Sequence, residues 1–300
     1  MSTWIVALDL RPSSHGAVRF ASWVSQSGGE PLELVGVHVI EREQLAPIFR
    51  LQSPDEVGRR AREALQRELD EAAIREFFTR EVVALGPRAH EVLAHQAQGE
   101  HAEVIVVGRQ VADDARATIR LGTNARRLLR ALPTTVVVVP PDYAQIPFGA
   151  GPVLVATDLG EDAVAACRFA AQMGARLGRE VIAVHVIPQL DPVLRAYVAD
   201  GPWNELAEQE HARALAELRR WLDRHGLAQL ESRVEQGAVI DTLGRLVQST
   251  HAPLLVVGSR RLPTVERAFV GSTAAALAAE LPLAVAVVPQ ERASAGDGHR

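Results

Sequence analysis

Residues 101–108 read HAEVIVVG, and residues 251–258 read HAPLLVVG, a closely similar apolar run that also ends in glycine. Three further segments recur in the same order: 5–9 as 154–158, 35–40 as 182–187, and 136–140 as 285–289. The offset stays between 147 and 150 residues, and chance apolar runs would not keep that register. Self-similarity at a fixed period is the signature of a repeated structural unit. The chain is therefore predicted to be two copies of one domain, residues 1–141 (the first repeat) and 152–290 (the second repeat).

The join between the repeats and the last ten residues differ in composition from the rest. Four prolines and two glycines fall between Pro140 and Pro152, a density that breaks both helices and strands. We therefore expect a linker at 142–151. Residues 291–300 are mostly small and polar, and we expect a disordered tail there.

Within each repeat, short apolar runs alternate with longer amphipathic stretches. The runs at 104–107 and 135–139 lack period-2 alternation, which is typical of strands buried on both faces of a parallel sheet. Between such runs, apolar residues recur every fourth position from Val57 to Phe77, which predicts one helix over that range. Five β-α units per repeat predict the α/β class, as two tandem copies of a doubly wound, Rossmann-like sandwich with a five-stranded parallel sheet.

The composition excludes several kinds of protein. The formal net charge is −5, from 32 basic and 37 acidic residues, which argues against a nucleic-acid partner. Every basic residue is Arg, so a Walker A loop and a Schiff-base lysine are excluded. Cys167 is the single cysteine, so the chain has no intrachain disulfide or thiolate zinc cluster. The start of the chain lacks a signal-peptide core, and no apolar run reaches the roughly 20 residues of a membrane helix. We expect a cytoplasmic protein without a membrane partner.

Residues suited to ligand binding fall at the carboxyl ends of the predicted strands, where open α/β sheets bind their ligands. Each repeat has an aspartate after its first strand, a glycine ending its fourth strand, and a glycine–hydroxyl pair that opens the next helix. They are Asp9, Gly108, Gly122 and Thr123 in the first repeat, and Asp158, Gly258, Gly271 and Ser272 in the second. Glycine allows close backbone approach, and the N–H groups of a helix start attract anions. The pattern suits a nucleotide whose phosphates lie on the glycine loop and whose ribose or base lies near the aspartate.

These residues and the duplication resemble the universal stress proteins in their tandem two-domain form. The resemblance covers about residues 3–140 and 152–289, and it implies the adenine nucleotide alpha hydrolase-like variant of the doubly wound fold. It also implies a stress-response regulator that binds ATP, with or without Mg²⁺, and has no assigned reaction. The implied binding residues are Leu8, Asp9, Val39, Gly108, Gly122, Thr123 and Asn124 in the first repeat, and Thr157, Asp158, Val186, Val257, Gly258, Arg261, Gly271, Ser272 and Thr273 in the second.

The glycine motif departs from the pattern of the family, Gly-x2-Gly-x9-Gly-(Ser/Thr). Val111 and Arg261 stand at the middle glycine of the first and second repeats. The outer glycines are 13 residues apart in the second repeat, as the pattern requires, and 14 apart in the first. Arg261 could contact the phosphates or fill their space, because a guanidinium suits phosphate geometry. We expect ATP in the second repeat in preference to the first.

Structural roles compete with binding for several of these residues. Asp9 and Asp158 are also suited to capping a turn or helix, and the glycines to tight strand–helix packing. For His38 and His185, inside predicted strands, we expect structural hydrogen bonds rather than catalysis. The other sequence features are interpreted structurally. His90 and His95 are five residues apart, so they do not share one helix face as the histidines of a zinc motif do. Cys167 is predicted to be a core residue. The Arg runs are predicted to lie on solvated helix faces and to form ion pairs there.

Three functions remain open from the sequence. One is a nucleotide-binding regulator, the second is a nucleotide-independent dimeric scaffold with degenerate sites, and the third is an enzyme. No nucleophile elbow or metal cluster supports an enzyme, so no catalytic or metal-binding residue is predicted, although slow ATP hydrolysis is not excluded. The apolar last strands at 136–139 and 283–288 are predicted to pair, either within the chain as a pseudo-dimer or in a homo-oligomer.

Overall fold

The computed structural model describes residues 2–11, 14–45, 47–109, 121–189, 193, 197, 200–259 and 272–290. The chain divides into two compact units, 1–148 together with 264–287, and 149–263 together with 288–300. The last helix of the second repeat therefore belongs to the same unit as the first repeat. The predicted tail at 291–300 lies outside the described residues.

The first repeat alternates strands and helices, as its apolar pattern predicts. Its strands are β1 (Ser2–Leu8), β2 (Leu32–Glu41), β3 (Arg80–Gly86), β4 (Val104–Gly108) and β5 (Thr135–Val139). Its helices are α1 (His15–Gln26), α2 (Arg42–Leu45), α3 (Pro54–Glu71), α4 (Ala89–Gly99) and α5 (Thr123–Ala131). Short 3₁₀ turns occupy Ile48–Arg50, Arg75–Phe77 and Pro141–Ala144.

The strands of the first repeat form a parallel sheet in the order β3-β2-β1-β4-β5. The chain moves outward from β1 to β3 on one side and then returns to β4 and β5 on the other. This reversal leaves a crevice at the carboxyl ends of β1 and β4, the place where doubly wound sheets bind ligands. Apolar side chains fill the sheet on both faces, and Ile5, Val106 and Val136 have no exposed surface.

The second repeat follows the same alternation. Its strands are β6 (Val153–Thr157), β7 (Val181–Ile187), β8 (Glu231–Gln236), β9 (Leu254–Ser259) and β10 (Ala284–Pro289). Its helices are α6 (Asp162–Leu177), α7 (Asp200–Arg224), α8 (Val239–Thr250) and α9 (Ser272–Glu280). β6 pairs in parallel with β7 and β9, and β7 pairs in parallel with β8. The predicted α/β class with two tandem, doubly wound copies is confirmed.

The last strands of the two repeats pair with each other. β10 runs antiparallel to β5, with Val285 opposite Val138 and Val287 opposite Val136. All four side chains are buried, so the contact is apolar on both strands. The predicted pairing of these two segments is confirmed.

The amphipathic stretch of the first repeat gives a shorter helix than its periodicity indicates. The pattern predicts one helix from Val57 to Phe77, and α3 ends at Glu71. Ala73 adopts φ of 52°, in the left-handed region where helices commonly terminate. Phe77 instead closes a 3₁₀ turn, Arg75–Phe77.

The beginning of the predicted linker packs on α1. Tyr143, in the 3₁₀ turn, is buried, and Phe148 stacks on Trp23 of α1 with ring centroids 4.5 Å apart. The Arg19 guanidinium donates to the carbonyl oxygens of Tyr143 at 3.0 Å and Ile146 at 2.8 Å. Residues 141–148 are therefore a fixed part of the first unit.

Candidate functional site

A cleft of about 510 Å³ lies in the first repeat, where β1, β2 and β4 end and α5 begins. All seven residues predicted for ligand binding in this repeat line it: Leu8, Asp9, Val39, Gly108, Gly122, Thr123 and Asn124. Its volume falls within the range of about 300–1,000 Å³ that is usual for small-molecule sites. The topology thus brings together residues that are more than 100 positions apart in the sequence.

The turn after β1 forms one wall of the cleft. Asp9 follows the strand directly, and Leu10 adopts φ of 46°, a left-handed conformation that is uncommon for leucine. The buried Ser14 closes the turn, because its hydroxyl donates to the carbonyl oxygen of Arg11 at 3.0 Å. This turn places Asp9 and Arg11 on the cleft wall.

A histidine joins the ends of the first two strands in each repeat. The Nδ1 of His38 lies 2.9 Å from the carbonyl oxygen of Leu8, and the Nδ1 of His185 lies 2.9 Å from that of Thr157. A carbonyl oxygen can only accept, so Nδ1 is the donor in both repeats. The predicted structural hydrogen bonds are confirmed. His38 also lines the cleft, a position that its strand pattern alone did not indicate.

A carboxylate at the end of β2 occupies one helix N-terminus in the cleft. The Oε1 of Glu41 accepts a hydrogen bond from the N–H of Ala89, the first residue of α4, at 2.7 Å. A carboxylate at this position satisfies an N–H that has no partner within the helix and complements the helix dipole. Sequence reasoning missed Glu41; its position at the carboxyl end of a central strand was the available signal.

The N-terminus of α5, in contrast, is not capped by its own N-cap residue. That residue is Gly122, which has no side chain, and no side chain among the described residues accepts a hydrogen bond from this end of the helix. The first N–H groups of a helix lack intrahelical partners and carry partial positive charge. Gly122, Thr123, Asn124 and Ala125 all line the cleft. This helix start is therefore suited to an anionic group of a ligand.

Two arginines add positive charge to the same cleft. Arg11 lies in the turn after β1, and Arg127 lies one helical turn beyond Thr123 on α5. Both side chains are exposed, and neither guanidinium forms a hydrogen bond or an ion pair with another described residue. Four further arginines flank the glycine loops in the sequence and could neutralise a bound polyphosphate. They are Arg116, Arg120, Arg260 and Arg267, and they lie outside the described residues.

The pKa of His90, on α4, responds to charged residues in and near the cleft. Burial is the main cause that lowers its pKa, and the positive charges of Arg127 and Arg88 lower it further. The carboxylates of Glu91 and Glu41 act in the opposite direction. The net lowering favours a neutral imidazole beside the cleft at neutral pH.

In the second repeat, Asp158 and Thr157 take part in the turn that follows β6. The Oδ1 of Asp158 accepts from the N–H of Gly160 at 3.0 Å, and the Oγ1 of Thr157 accepts from the N–H of Leu159 at 2.9 Å. Leu159 adopts φ of 64°, matching Leu10 in the first repeat. Asp158 therefore has the turn-capping role that was the structural alternative to binding.

Gly258 lies near the end of β9, close to the start of α6. A Cβ at this position would lie 3.0 Å from the carbonyl oxygen of Asp162 and 3.4 Å from the Cα of Ala163. Its lack of a side chain therefore serves tight strand–helix packing. The other predicted residues of this repeat divide into two groups. Val186 lies in β7, Val257 lies in β9, and Thr273 is exposed on α9. The second group lies outside the described residues: Arg261, Gly271 and the side chain of Ser272. Val111 of the first repeat lies outside them as well.

The remaining sequence features have structural roles. Cys167 is fully buried, and burial raises the pKa of its thiol to about 12, so it is a core residue as predicted. Arg59 pairs with Glu63, and Arg60 pairs with Glu56, so the predicted ion pairs along a solvated helix are confirmed on α3. Over the described ranges, no three His, Cys, Asp or Glu side chains form a group that could hold a metal ion.

The topology and the strand-end cleft define a class, the tandem doubly wound α/β proteins with a ligand cleft at the carboxyl edge of the sheet. Within that class, the chain belongs to the universal stress protein family, whose family model matches residues 1–140 and 150–289. The resemblance stated from the sequence is confirmed. A comparison with curated protein sequences found no match.

Solved structures share this fold over nearly the whole chain. A functionally unknown protein from Pseudomonas aeruginosa PAO1 is 17% identical, with a TM-score of 0.65, over 97% of this chain and 93% of its own. A universal stress protein from Archaeoglobus fulgidus DSM 4304 is 19% identical, with a TM-score of 0.65, over 96% of this chain and 98% of its own. At these identities, the similarity is one of fold. No helix within the described residues is long and apolar enough to cross a membrane.

Proposed function

We propose that this universal stress protein is a regulator that binds an adenine nucleotide, and that the cleft of the first repeat takes ATP. The observation that carries the proposal is the convergence on one cleft of Asp9, the start of α5 with its glycine N-cap, and the two arginines Arg11 and Arg127. Asp9 complements the ribose of a nucleoside polyphosphate, and the helix start and the two arginines complement its phosphates.

The charges in the cleft favour a polyphosphate. Arginine binds phosphate oxygens through paired N–H donors, and a helix N-terminus adds backbone N–H groups. Asp9 is an acceptor that suits the hydroxyl groups of a ribose, and Leu8 and Val39 give apolar surface near it. Glu41 is already engaged with the N–H of Ala89, so the start of α5 is the helix end left for phosphate.

The sequence-based preference for the second repeat stays a prediction. Asp158 caps a turn and Gly258 serves packing, and both observations favour a nucleotide-independent, scaffold role for that repeat. The second repeat has Gly160 and Ala276 where the first has Arg11 and Arg127, at an offset of 149 residues in both cases. It therefore lacks both of these positive charges. We propose that the first repeat binds nucleotide more tightly, in the cytoplasm, and that binding regulates contacts rather than serving a reaction.

Calorimetric titration of the full chain with ATP, with and without Mg²⁺, tests the proposal. We expect saturable binding that Asp9→Asn weakens ten-fold or more, since a hydrogen bond to a charged group contributes about 1.5–3 kcal/mol. The Arg11→Ala/Arg127→Ala double variant should lose a similar factor for ATP and less for AMP, because AMP has fewer phosphate charges.

Two matched variants are the controls. Arg130→Ala removes one charge from the same helix outside the cleft, and Asp158→Asn alters the equivalent aspartate of the second repeat. Both should retain first-site affinity within two-fold. Absence of heat, together with no rise in Tm at millimolar ATP, would overturn the proposal, because a ligand of the native state must stabilise it. A loss caused by Asp158→Asn alone would place the site in the second repeat.

A further inference from the structure

Arg109 is a buried charged residue directly beside the cleft. It follows Gly108, which lines the cleft at the end of β4, and only 5% of its surface is exposed. Its Nη1 donates to the carbonyl oxygens of Ala279 and Leu281 at 2.9 Å each, and it lies 3.4 Å from that of Ala278. These acceptors are 169 to 172 positions away in the sequence, at the end of α9.

The end of α9 compensates the burial of this charge. The last carbonyl groups of a helix have no intrahelical partner and carry partial negative charge. α9 has no basic residue in its own last turn, so the guanidinium of Arg109 supplies the cation that this helix end lacks. Burial lowers the pKa of Arg109, with Asp142 acting in the opposite direction, but an arginine stays protonated in a protein.

The backbone of Arg109 is fixed as well. Its N–H donates to the carbonyl oxygen of Val139 at 2.8 Å, directly after the ladder pair that joins Gly108 to Val139. Arg109 therefore links three parts of the first unit: the last strand of the first repeat, the wall of the cleft, and the last helix of the second repeat. The equivalent position of the second repeat is Ser259, which has no guanidinium.

We propose that Arg109 is a positioning residue through which helix α9 of the second repeat controls ligand affinity in the cleft of the first. The inference rests on the proposed nucleotide binding and names how that site is regulated. α9 begins at Ser272, within the glycine–serine segment that the sequence predicts as an anion site. A shift of α9 moves the partners of Arg109, and Arg109 is one residue from the cleft wall.

Arg109→Met tests this role because it keeps an unbranched side chain and removes the donors. Arg19→Met is the matched control, since Arg19 also donates to two backbone carbonyl oxygens in the same unit, away from the cleft. Both variants should lower Tm by about 5 °C. Only Arg109→Met should weaken ATP binding, by ten-fold or more, and Arg109→Lys should recover part of the loss.

Hydrogen exchange on the ligand-free full chain gives a readout that does not depend on ATP. We expect Arg109→Met to speed exchange both in α9 and at 104–109, and Arg19→Met to leave both segments unchanged. Faster exchange in α9 alone, with unchanged affinity, would show that Arg109 is only a helix cap and would overturn the inference. If the wild type binds no ATP, the proposed function fails, and exchange at 104–109 still decides the link: faster exchange supports it and unchanged exchange overturns it. If Arg109→Met does not fold, Arg109→Lys undergoes the same exchange measurement.

Discussion

The carboxyl end of the first strand is built alike in the two repeats. Leu10 and Leu159 both adopt left-handed φ, at 46° and 64°. His38 and His185 both donate from Nδ1 to the carbonyl oxygen at the end of that strand, at 2.9 Å. The duplication has kept the hydrogen bonds and the turn that fix the backbone at this edge of the sheet.

The charged side chains at the same edge differ. Arg11 and Arg127 of the first repeat correspond to Gly160 and Ala276 of the second at an offset of 149 residues, and Glu41 corresponds to Pro188 at the offset of 147 that relates His38 to His185. α5 contains three arginines, whereas α9 is built largely of alanine and has no basic residue. The comparison teaches that separate residues encode the backbone geometry and the ligand chemistry. The backbone geometry is therefore the same in the two repeats, whereas the charged side chains that would contact a ligand differ.

The start of the first helix should give the largest difference between the repeats. A Cβ on Gly16 would lie 2.6 Å from the carbonyl oxygen of Pro140, whereas the equivalent residue of the second repeat is Ala165. We expect Gly16→Ala to destabilise the first unit by about 2 kcal/mol through overpacking. Ala165→Gly should cost only about 1 kcal/mol, the ordinary helix penalty of glycine. Urea unfolding followed by tryptophan fluorescence measures both, and equal costs would contradict the asymmetry.

The paired histidines should give an intermediate and equal effect on stability. His38→Ala and His185→Ala each remove one hydrogen bond to a strand end, and we expect each to lower the free energy of unfolding by about 1 kcal/mol. Only His38→Ala should also change ATP affinity, because His38 lines the cleft. Asparagine places a side-chain N–H near the position of Nδ1, so His→Asn variants are the control and should recover part of the stability. A stability loss confined to one repeat would break the equivalence.

The left-handed leucines should give the smallest effect. A left-handed conformation costs an ordinary residue about 1–2 kcal/mol, and glycine avoids this cost but loses about 0.5–1 kcal/mol in chain entropy. We expect Leu10→Gly to raise stability by about 0.5 kcal/mol, since the side chain is 37% exposed. Leu159→Gly should be nearly neutral, because Leu159 also lines a small cavity beside Trp221. Differential scanning calorimetry resolves the comparison, and a clear loss for Leu10→Gly would refute it.

Local patterns predicted the fold and the place of the cleft. Buried parallel strands read as continuous apolar runs, and the glycine at the end of the run at 104–108 marks the ligand edge directly. The first-repeat residues named from the glycine pattern and the family resemblance all line one cleft for that reason. The end of α3 was missed because alanine at position 73 carries no helix-stop signal, although its φ of 52° terminates the helix.

The charges of the cleft could not be predicted in the same way. Arg11, Glu41 and Arg127 look like ordinary surface residues, and their role depends on which strand ends lie side by side. Arg109 is harder still, because its partners are carbonyl groups of a helix in the other repeat. Backbone acceptors leave no side-chain signature, so neither residue type nor spacing could indicate this contact.

The pairing of β5 with β10 also has a consequence for how the protein is made. The first unit needs residues up to 287, although its N-terminal segment, which contains the whole first repeat, ends at residue 148. At about 5–20 residues per second, synthesis of the intervening chain takes roughly 7–28 s. During that interval β5 is an apolar edge strand open to pairing with another nascent chain. Slow translation of the second repeat prolongs this exposure. The codons of the second repeat therefore influence how often β5 of the first repeat pairs with another nascent chain.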